Sequence, residues 1–139
     1  MHIVVCLDDN NGMMFNKRRQ SQDKLLRADI SNSIGDSNLF MNHYSYKLYK
    51  DIDNGKVQVC DDFLNKCGVN DFCLVEDKSL SSYVNKIDTL IVYKWNRVYP
   101  CDLYFDIDLQ TSNWKLIEIS EFQGYSHNKI TKEIYRRIH

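Results

Sequence analysis

Asp23 and the basic run Lys17-Arg18-Arg19 close the first 23 residues, MHIVVCLDDNNGMMFNKRRQSQD. A carboxylate at a helix start has two uses: it pairs with a protonated heterocycle, or it stabilises the helix N-terminus through the dipole. Two adjacent arginines offer bidentate forks for a phosphate or carboxylate; the alternative is a solvated loop. Their place just before a helix start favours an anion, since backbone N–H groups there already do. Asp8 and Asp9, with Asp106 and Asp108, lie at strand ends where oxygen ligands suit magnesium or manganese. Acidic residues in such places are usually solvated, so no metal is assigned. Ser21 and Ser45 lack a sequence-evident His/Asp partner and a G-x-S-x-G turn, which leaves nucleophilic catalysis without support. No P-loop or G-x-G-x-x-G occurs.

These residues need elements to position them. Ile3-Val4-Val5-Cys6-Leu7 is short, apolar and β-branched, and reads as a strand buried on both faces. Asp8-Asp9-Asn10-Asn11-Gly12 breaks it, with Asn-Gly requiring positive φ. Met13 to Gln20 reads as a mixed loop, Ser21 as an N-cap, and Asp23 as a first-turn residue of a helix over Lys24 to Ser33. Strands follow at Leu39–Met41, Val57–Cys60, Phe72–Val75 and Leu90–Tyr93. They alternate with helices from Asn42 or His43 to Tyr49, Asp62 to Cys67 and Ser79 to Ile87, as βαβ units do. After Pro100, three alternating segments (Leu103–Leu109, Trp114–Phe122, Ile130–Ile138) predict an antiparallel end to the sheet.

The chain has 139 residues, 43% hydrophobic and 27% charged, with a net charge of −1. A chain of this length reads as one domain, 1–139, that buries roughly two thirds of its unfolded surface. The charge disfavours a nucleic-acid coat, which carries a basic excess. Five cysteines with no C-x-x-C pair, no signal peptide and no long apolar span fit a reduced, cytoplasmic protein with no membrane partner.

In this order and length, the pattern resembles the dihydrofolate reductase family. Leu7, Asp9, Asn11 and Gly12 loosely match its strand-x-D-x-N-x-G opening. Leu39 to Ser45 resembles its second strand and the helix start after it, and Tyr99 to Asp108 its LP-x-AD-x-LYLT-x-ID segment. Trp114, Ser120-Glu121-Phe122, Ser126-His127 and Glu133-Ile134 resemble its last two strands and their loop. The resemblance implies a three-layer α/β fold, a mostly parallel central sheet finished by an antiparallel C-terminal ribbon. It puts Asp23 where that family's substrate-protonating carboxylate lies, as the candidate catalytic residue. Ligand contacts fall on Leu7, Asn16, Arg18, Arg19, Asp23, Ser45 and His127. The 123–129 loop would pack beside the N-terminal loop, with His127 clasping Asn16 or Arg18. The family's Gly-Gly pair after the fifth strand, which lets a cofactor pyrophosphate approach the backbone, is replaced by Tyr93-Lys94-Trp95-Asn96-Arg97. The NADPH site is thus damaged, and the cofactor stays unassigned.

The block CLDDNNGMMFNKRRQSQD also resembles short uncharacterised bacterial proteins often labelled ribonuclease Z. That chemistry needs a dinuclear zinc cluster, whereas His2, His43, His127 and His139 have no i,i+2 or i,i+4 spacing. The leading reading is a relative of the reductases that binds a small pterin- or nucleotide-like ligand without NADPH-dependent turnover. The second is an NADPH-dependent reductase with an altered site. The third is an RNA-binding or RNA-processing protein that uses Arg18, Arg19, Lys94, Arg97, Arg136 and Arg137. A protein-interaction module is the fourth. Oligomeric state is not encoded in any of these motifs.

Overall fold

The computed structural model describes residues 1–138, so His139 lies outside the described residues. Strand β1 (His2–Leu7) is the middle of a seven-stranded sheet. Its alternate residues feed two cores, one on each face. Ile3, Val5 and Leu7 join Phe63, Leu80, Ile87 and Trp114, while Val4 joins Leu26, Ile30, Ile91 and Tyr93. A strand with both faces covered has no polar alternation, which is why residues 3–7 are uninterruptedly apolar.

The small hairpin strands β2 (Gly12–Phe15) and β3 (Arg18–Arg19) come next, then helix α1 (Lys24–Ile34). β4 (Leu39–Met41), α2 (His43–Tyr49), β5 (Val57–Val59), the single turn α3 (Phe63–Lys66) and β6 (Phe72–Leu74) follow. The chain ends with β7 (Thr89–Lys94), β8 (Leu103–Tyr104), β9 (Trp114–Phe122) and β10 (Ile130–Arg137). The main sheet has the order β5-β4-β6-β1-β7-β10-β9. Its first five strands are parallel, with Ile3 opposite both Cys73 and Leu90. β10 then runs antiparallel to β7, and β9 antiparallel to β10. This is the expected parallel sheet with an antiparallel ribbon. Among the described residues, no helix is long and apolar enough to cross a membrane.

Helix α1 buries Leu26, Ile30 and Ile34 at a spacing of four, one stripe of a helix packed on the sheet. Its N-cap is Asp23, not Ser21: Asp23 is extended (φ −153°, ψ 129°), and its side chain accepts from the N–H groups of Leu25 and Leu26. Gly35 ends the helix at φ +57°.

Three further expectations, for residues 13–20, 79–87 and 103–109, are corrected. Residues 13–20 are not a loop. Asn16 and Lys17 both take positive φ (52° and 61°), the backbone of a tight hairpin, and join β2 to β3. β8 pairs on the other side of β2 and completes a three-stranded sheet. At the Asn-Gly turn Asn11 takes the positive φ. Gly12 is needed for space, since a Cβ there would lie 2.5 Å from Gln20 Nε2 and 2.7 Å from Cys101 Sγ.

The Ser79–Ile87 helix is a 3-10 turn over Ser81–Lys86, held at its start by Asp106, which accepts from the N–H groups of Leu80 and Ser81. Leu103–Leu109 forms a strand only at Leu103–Tyr104. Phe105 and Ile107 are buried and Asp106 and Asp108 exposed, so the alternation reflects burial without strand pairing. β9 is amphipathic in sequence, yet Trp114 is its one buried side chain, because β9 is the sheet edge with β10 as its single strand neighbour.

Ile30 is fully buried between α1 and the sheet. Ile30→Ala should cost about 2–5 kcal/mol, read as a lowered urea midpoint with an unchanged slope.

Candidate functional site

The carboxyl ends of the parallel strands meet in a crevice bordered by Leu7-Asp8, Val75-Glu76-Asp77, Trp95-Asn96 and Asn42. Open α/β sheets bind ligands at this edge. The β2–β3 hairpin and the 123–129 loop close it from above.

Asp23 is buried beneath that cover. Its Oδ1 accepts from the N–H groups of Leu25 (2.9 Å), Leu26 (3.2 Å) and Tyr125 (2.9 Å). Its Oδ2 accepts from Ser126 N–H (2.9 Å), Ser126 Oγ (3.2 Å) and His127 Nδ1 (2.8 Å). Gly124 makes room for this, since a Cβ there would stand 2.6 Å from Oδ2. Burial by itself would raise the Asp23 pKa. The Tyr125 N–H, the His127 ring and the other donors outweigh it and hold the carboxyl well below the usual range. Both oxygens are occupied by the protein, so Asp23 does not face a ligand. The expectation of a substrate-protonating or heterocycle-binding carboxylate at Asp23 is corrected on that ground.

His127 carries the line onward. Its Nε2 lies 2.8 Å from Ser21 Oγ and 3.5 Å from the Tyr99 hydroxyl, and its ring is stacked on Trp95 at 4.6 Å. The clasp expected from His127 to Asn16 or Arg18 is not formed; His127 instead ties the 123–129 loop to Ser21 and Asp23 at the start of α1. Asn16, at the exposed hairpin tip, donates its N–H to Asp102 Oδ2 (3.0 Å), and Arg18 is exposed.

Arg19 fills the centre of the crevice. Its Nε and Nη2 meet Glu76 Oε2 and Oε1 at 2.8 and 3.0 Å, and Ser45 Oγ donates to Oε1 at 2.7 Å. The Arg19 N–H donates to the Tyr44 hydroxyl (2.9 Å), and its guanidinium lies 4.6 Å from the Tyr44 ring centroid. Burial opposes the charge on Arg19, but the Glu76 carboxylate outweighs it and raises the pKa. Around this pair, Cys6, Tyr49, Gln20 and Trp95 leave a cavity of about 10 Å³, close to one water molecule. The same burial pushes the Cys6 thiol up, out of the reactive range. Arg19 and Ser45 therefore serve a protein carboxylate, in place of the anionic ligand expected of them. Leu7 is buried in the core, and only its backbone reaches the site, where its carbonyl accepts from Trp95 N–H.

Two larger cavities flank the hairpin. One of about 320 Å³ is lined by Met14, Lys17, Tyr44, Asp77, Asp102 and Leu103. The other, about 300 Å³, includes Phe15, Asn16, Arg18, Gln20, Tyr99 and Pro100 in its lining. Glu76, Asp77, Tyr44, Tyr99 and Trp95 were absent from the sequence-derived site. The acidic pair directly after an apolar strand was the one local signal that pointed to them.

The basic residues of the nucleic-acid reading do not form one surface. Lys94 pairs with Glu133 (3.2 Å) and Arg19 with Glu76. Arg136 and Arg137 lie at the start of β7, where Arg136 is opposite Thr89, at the far end of the sheet from Arg18. The acidic strand ends are likewise separate. Asp8 accepts from the N–H groups of Asn10, Gly12 and Tyr99, whereas Asp106 caps the 3-10 turn. Among the described residues, no group of three or more His, Cys, Asp or Glu side chains is placed to hold a metal.

No protein-family model matches the chain, and no curated protein matches it in sequence. In structure it is similar to dihydrofolate reductase from Enterococcus faecalis complexed with NADP(H) and RAB-propyl. The TM-score is 0.69 over 99% of this chain and 96% of that one, at 10% sequence identity. The fold is that of dihydrofolate reductase. The resemblance of the N-terminal block to proteins labelled ribonuclease Z is not supported. His2 packs on Phe72, His43 pairs with Asp61 and His127 with Asp23, three separate places. Of the two strands that flank β1, one leads into Val75-Glu76-Asp77 and the other into Trp95-Asn96. Neither is followed by the glycine pair of the reductases.

Replacing Asp23 by Asn should destabilise the fold by about 3–5 kcal/mol, because an amide N–H₂ would face the donors of Ser126 and His127. The folded pKa of Asp23 is depressed, so its contribution is present above the ordinary aspartate value of about 3.9 and lost as pH falls through that value toward the folded one. Urea melts from pH 7 to pH 2 should show an acid loss of stability that is smaller in Asp23→Asn.

Proposed function

We propose that the protein binds a small planar heterocycle of pterin or nucleoside type in the cleft beside Tyr44, and does not reduce it with NADPH. The observation that carries this reading is the Arg19–Glu76–Ser45 plug. It closes the centre of the crevice and leaves the flanking cavity of about 320 Å³ open. Tyr44 offers that cavity an aromatic ring, Met14 and Leu103 offer apolar walls, and Asp77 and Asp102 offer acceptors for amino and imino N–H groups. Asp77 is held in place by Asn42, whose Nδ2 donates to it at 2.9 Å.

The residues present do not fit a dinucleotide pyrophosphate. Its approach needs backbone N–H groups bared by glycine, and here the carboxylates Glu76 and Asp77 stand at one strand end and the Trp95 side chain at the other. Trp95 stands at the place of the glycine pair, and the Arg19–Glu76 ion pair fills the crevice beside it.

Trp95, buried against His127, is a fluorescent reporter of the crevice. Titration with NADPH should leave tryptophan emission and the melting temperature unchanged, while a panel of pterins and nucleosides should yield a ligand that raises the melting temperature. Tyr44→Ala should weaken that ligand by about 1–3 kcal/mol, the usual contribution of base–aromatic stacking, and Asp77→Asn should weaken it as well. Saturable energy transfer from Trp95 to NADPH would overturn the reading.

A further inference from the structure

The geometry points to Ser21 as a nucleophile activated by His127 and Asp23, which gives the protein a hydrolytic activity toward small, negatively charged carboxylic esters. Ser21 Oγ lies 2.8 Å from His127 Nε2, and His127 Nδ1 lies 2.8 Å from Asp23 Oδ2. A serine hydroxyl, an imidazole and a buried carboxylate in line are the parts of an acyl-transfer relay, recognised by geometry and not by chain order. Asp23 can only accept, so the proton of His127 is on Nδ1 and the lone pair of Nε2 faces Ser21. Four backbone N–H groups keep Asp23 ionised, which sets a fixed negative charge against the imidazolium that forms during attack. Stacking on Trp95 fixes the ring plane.

The neighbouring groups supply the rest. Ser21 is partly exposed and lines the small cavity of about 10 Å³; Arg19 and Gln20 form the wall between that cavity and the one of about 300 Å³, which Tyr99 also lines. The Tyr99 hydroxyl, 3.5 Å from His127 Nε2, is a donor for the oxyanion of an attacked carbonyl. Phe15 and Pro100 give the cavity an apolar wall. Arg18 lines the same cavity and forms no ion pair among the described residues, unlike Arg19, so the ester that fits carries a carboxylate or phosphate.

In the reaction, Ser21 Oγ bonds to the carbonyl carbon as its proton passes to His127 Nε2. The tetrahedral adduct collapses, the carbon–alkoxy bond breaks, and His127 gives the proton to the leaving alcohol. Water then attacks the acyl-serine, its proton passes to Nε2, and the Oγ–carbon bond breaks as Ser21 is reprotonated. The products are one acid and one alcohol. This activity is independent of the heterocycle site beside Tyr44, which lies across the hairpin.

The test is covalent labelling of the folded wild-type protein with an alkyl fluorophosphonate, followed by intact mass and peptide mapping. A single adduct at Ser21 is expected. Ser21→Ala should abolish both the adduct and hydrolysis of p-nitrophenyl esters, and His127→Gln should slow hydrolysis by about 10²-fold or more. p-Nitrophenyl hemisuccinate should be cleaved at least about tenfold faster than the acetate, and the ratio of the two rates should fall toward one in Arg18→Ala; a tenfold preference is the scale of one charge-assisted contact. An unlabelled Ser21 in protein whose melt shows it folded, or an adduct on another residue, would overturn the nucleophile and leave the line as a clasp between loops. Equal cleavage of the two esters would overturn the anionic class. The wild-type mapping stands even where a variant fails to fold.

Discussion

Burying the carboxylate of Asp23 commits distant parts of the chain to one another. A carboxylate out of water costs several kcal/mol unless donors replace its hydration. Here two donors come from the first turn of α1, and four come from residues 125–127, more than a hundred positions along the chain. The start of the helix, the turn at Gly124 and the orientation of His127 are therefore one constraint. Through His127 it extends to Ser21, Tyr99 and Trp95, so the segment that leads into α1, the 123–129 loop and the end of β7 are fixed relative to each other.

A second charge pair divides the crevice. Arg19 enters from the hairpin, Glu76 from the strand end beside β1 and Ser45 from α2, and their mutual hydrogen bonds leave little polar capacity for a ligand at the centre. The dihydrofolate reductase fold supplies the crevice, and the side chains decide its use. With the centre filled, the accessible chemistry moves to two flanking cavities. One is lined by acids and an aromatic ring. The other is lined by Phe15, Arg18, Gln20, Tyr99 and Pro100.

The residue types that matter were visible, but their partners were not. Asp23, Ser21, His127, Arg18 and Arg19 all stand out in the sequence, and the likeness of the 123–129 loop even suggested a clasp. The clasp partners differ from Asn16 and Arg18 because Asp23 lies just outside the helix and does not face a ligand. An N-cap in extended conformation instead turns its side chain back over the helix N-terminus, where the incoming loop meets it. Ser21 has no histidine near it in the chain, and the one it meets is 106 positions away. Glu76 had only its place after an apolar strand to mark it, and nothing local says that an arginine from a hairpin will reach it.

The sequence by itself determined the fold class. The apolar run at residues 3–7, the four-residue stripe of α1 and the strand–helix alternation up to β7 each require two covered sheet faces, and local periodicity suffices to show it. It did not determine the hairpin at residues 12–19, whose turn uses Asn16 and Lys17 without glycine, nor the exposure of β9, which follows from its place at the sheet edge. Only the tertiary structure decided which carboxylate meets which cation and which serine meets which histidine. The reason is physical: hydrophobic burial is read from periodicity along the chain, whereas a buried charge takes whatever donors the packed elements bring within 3 Å.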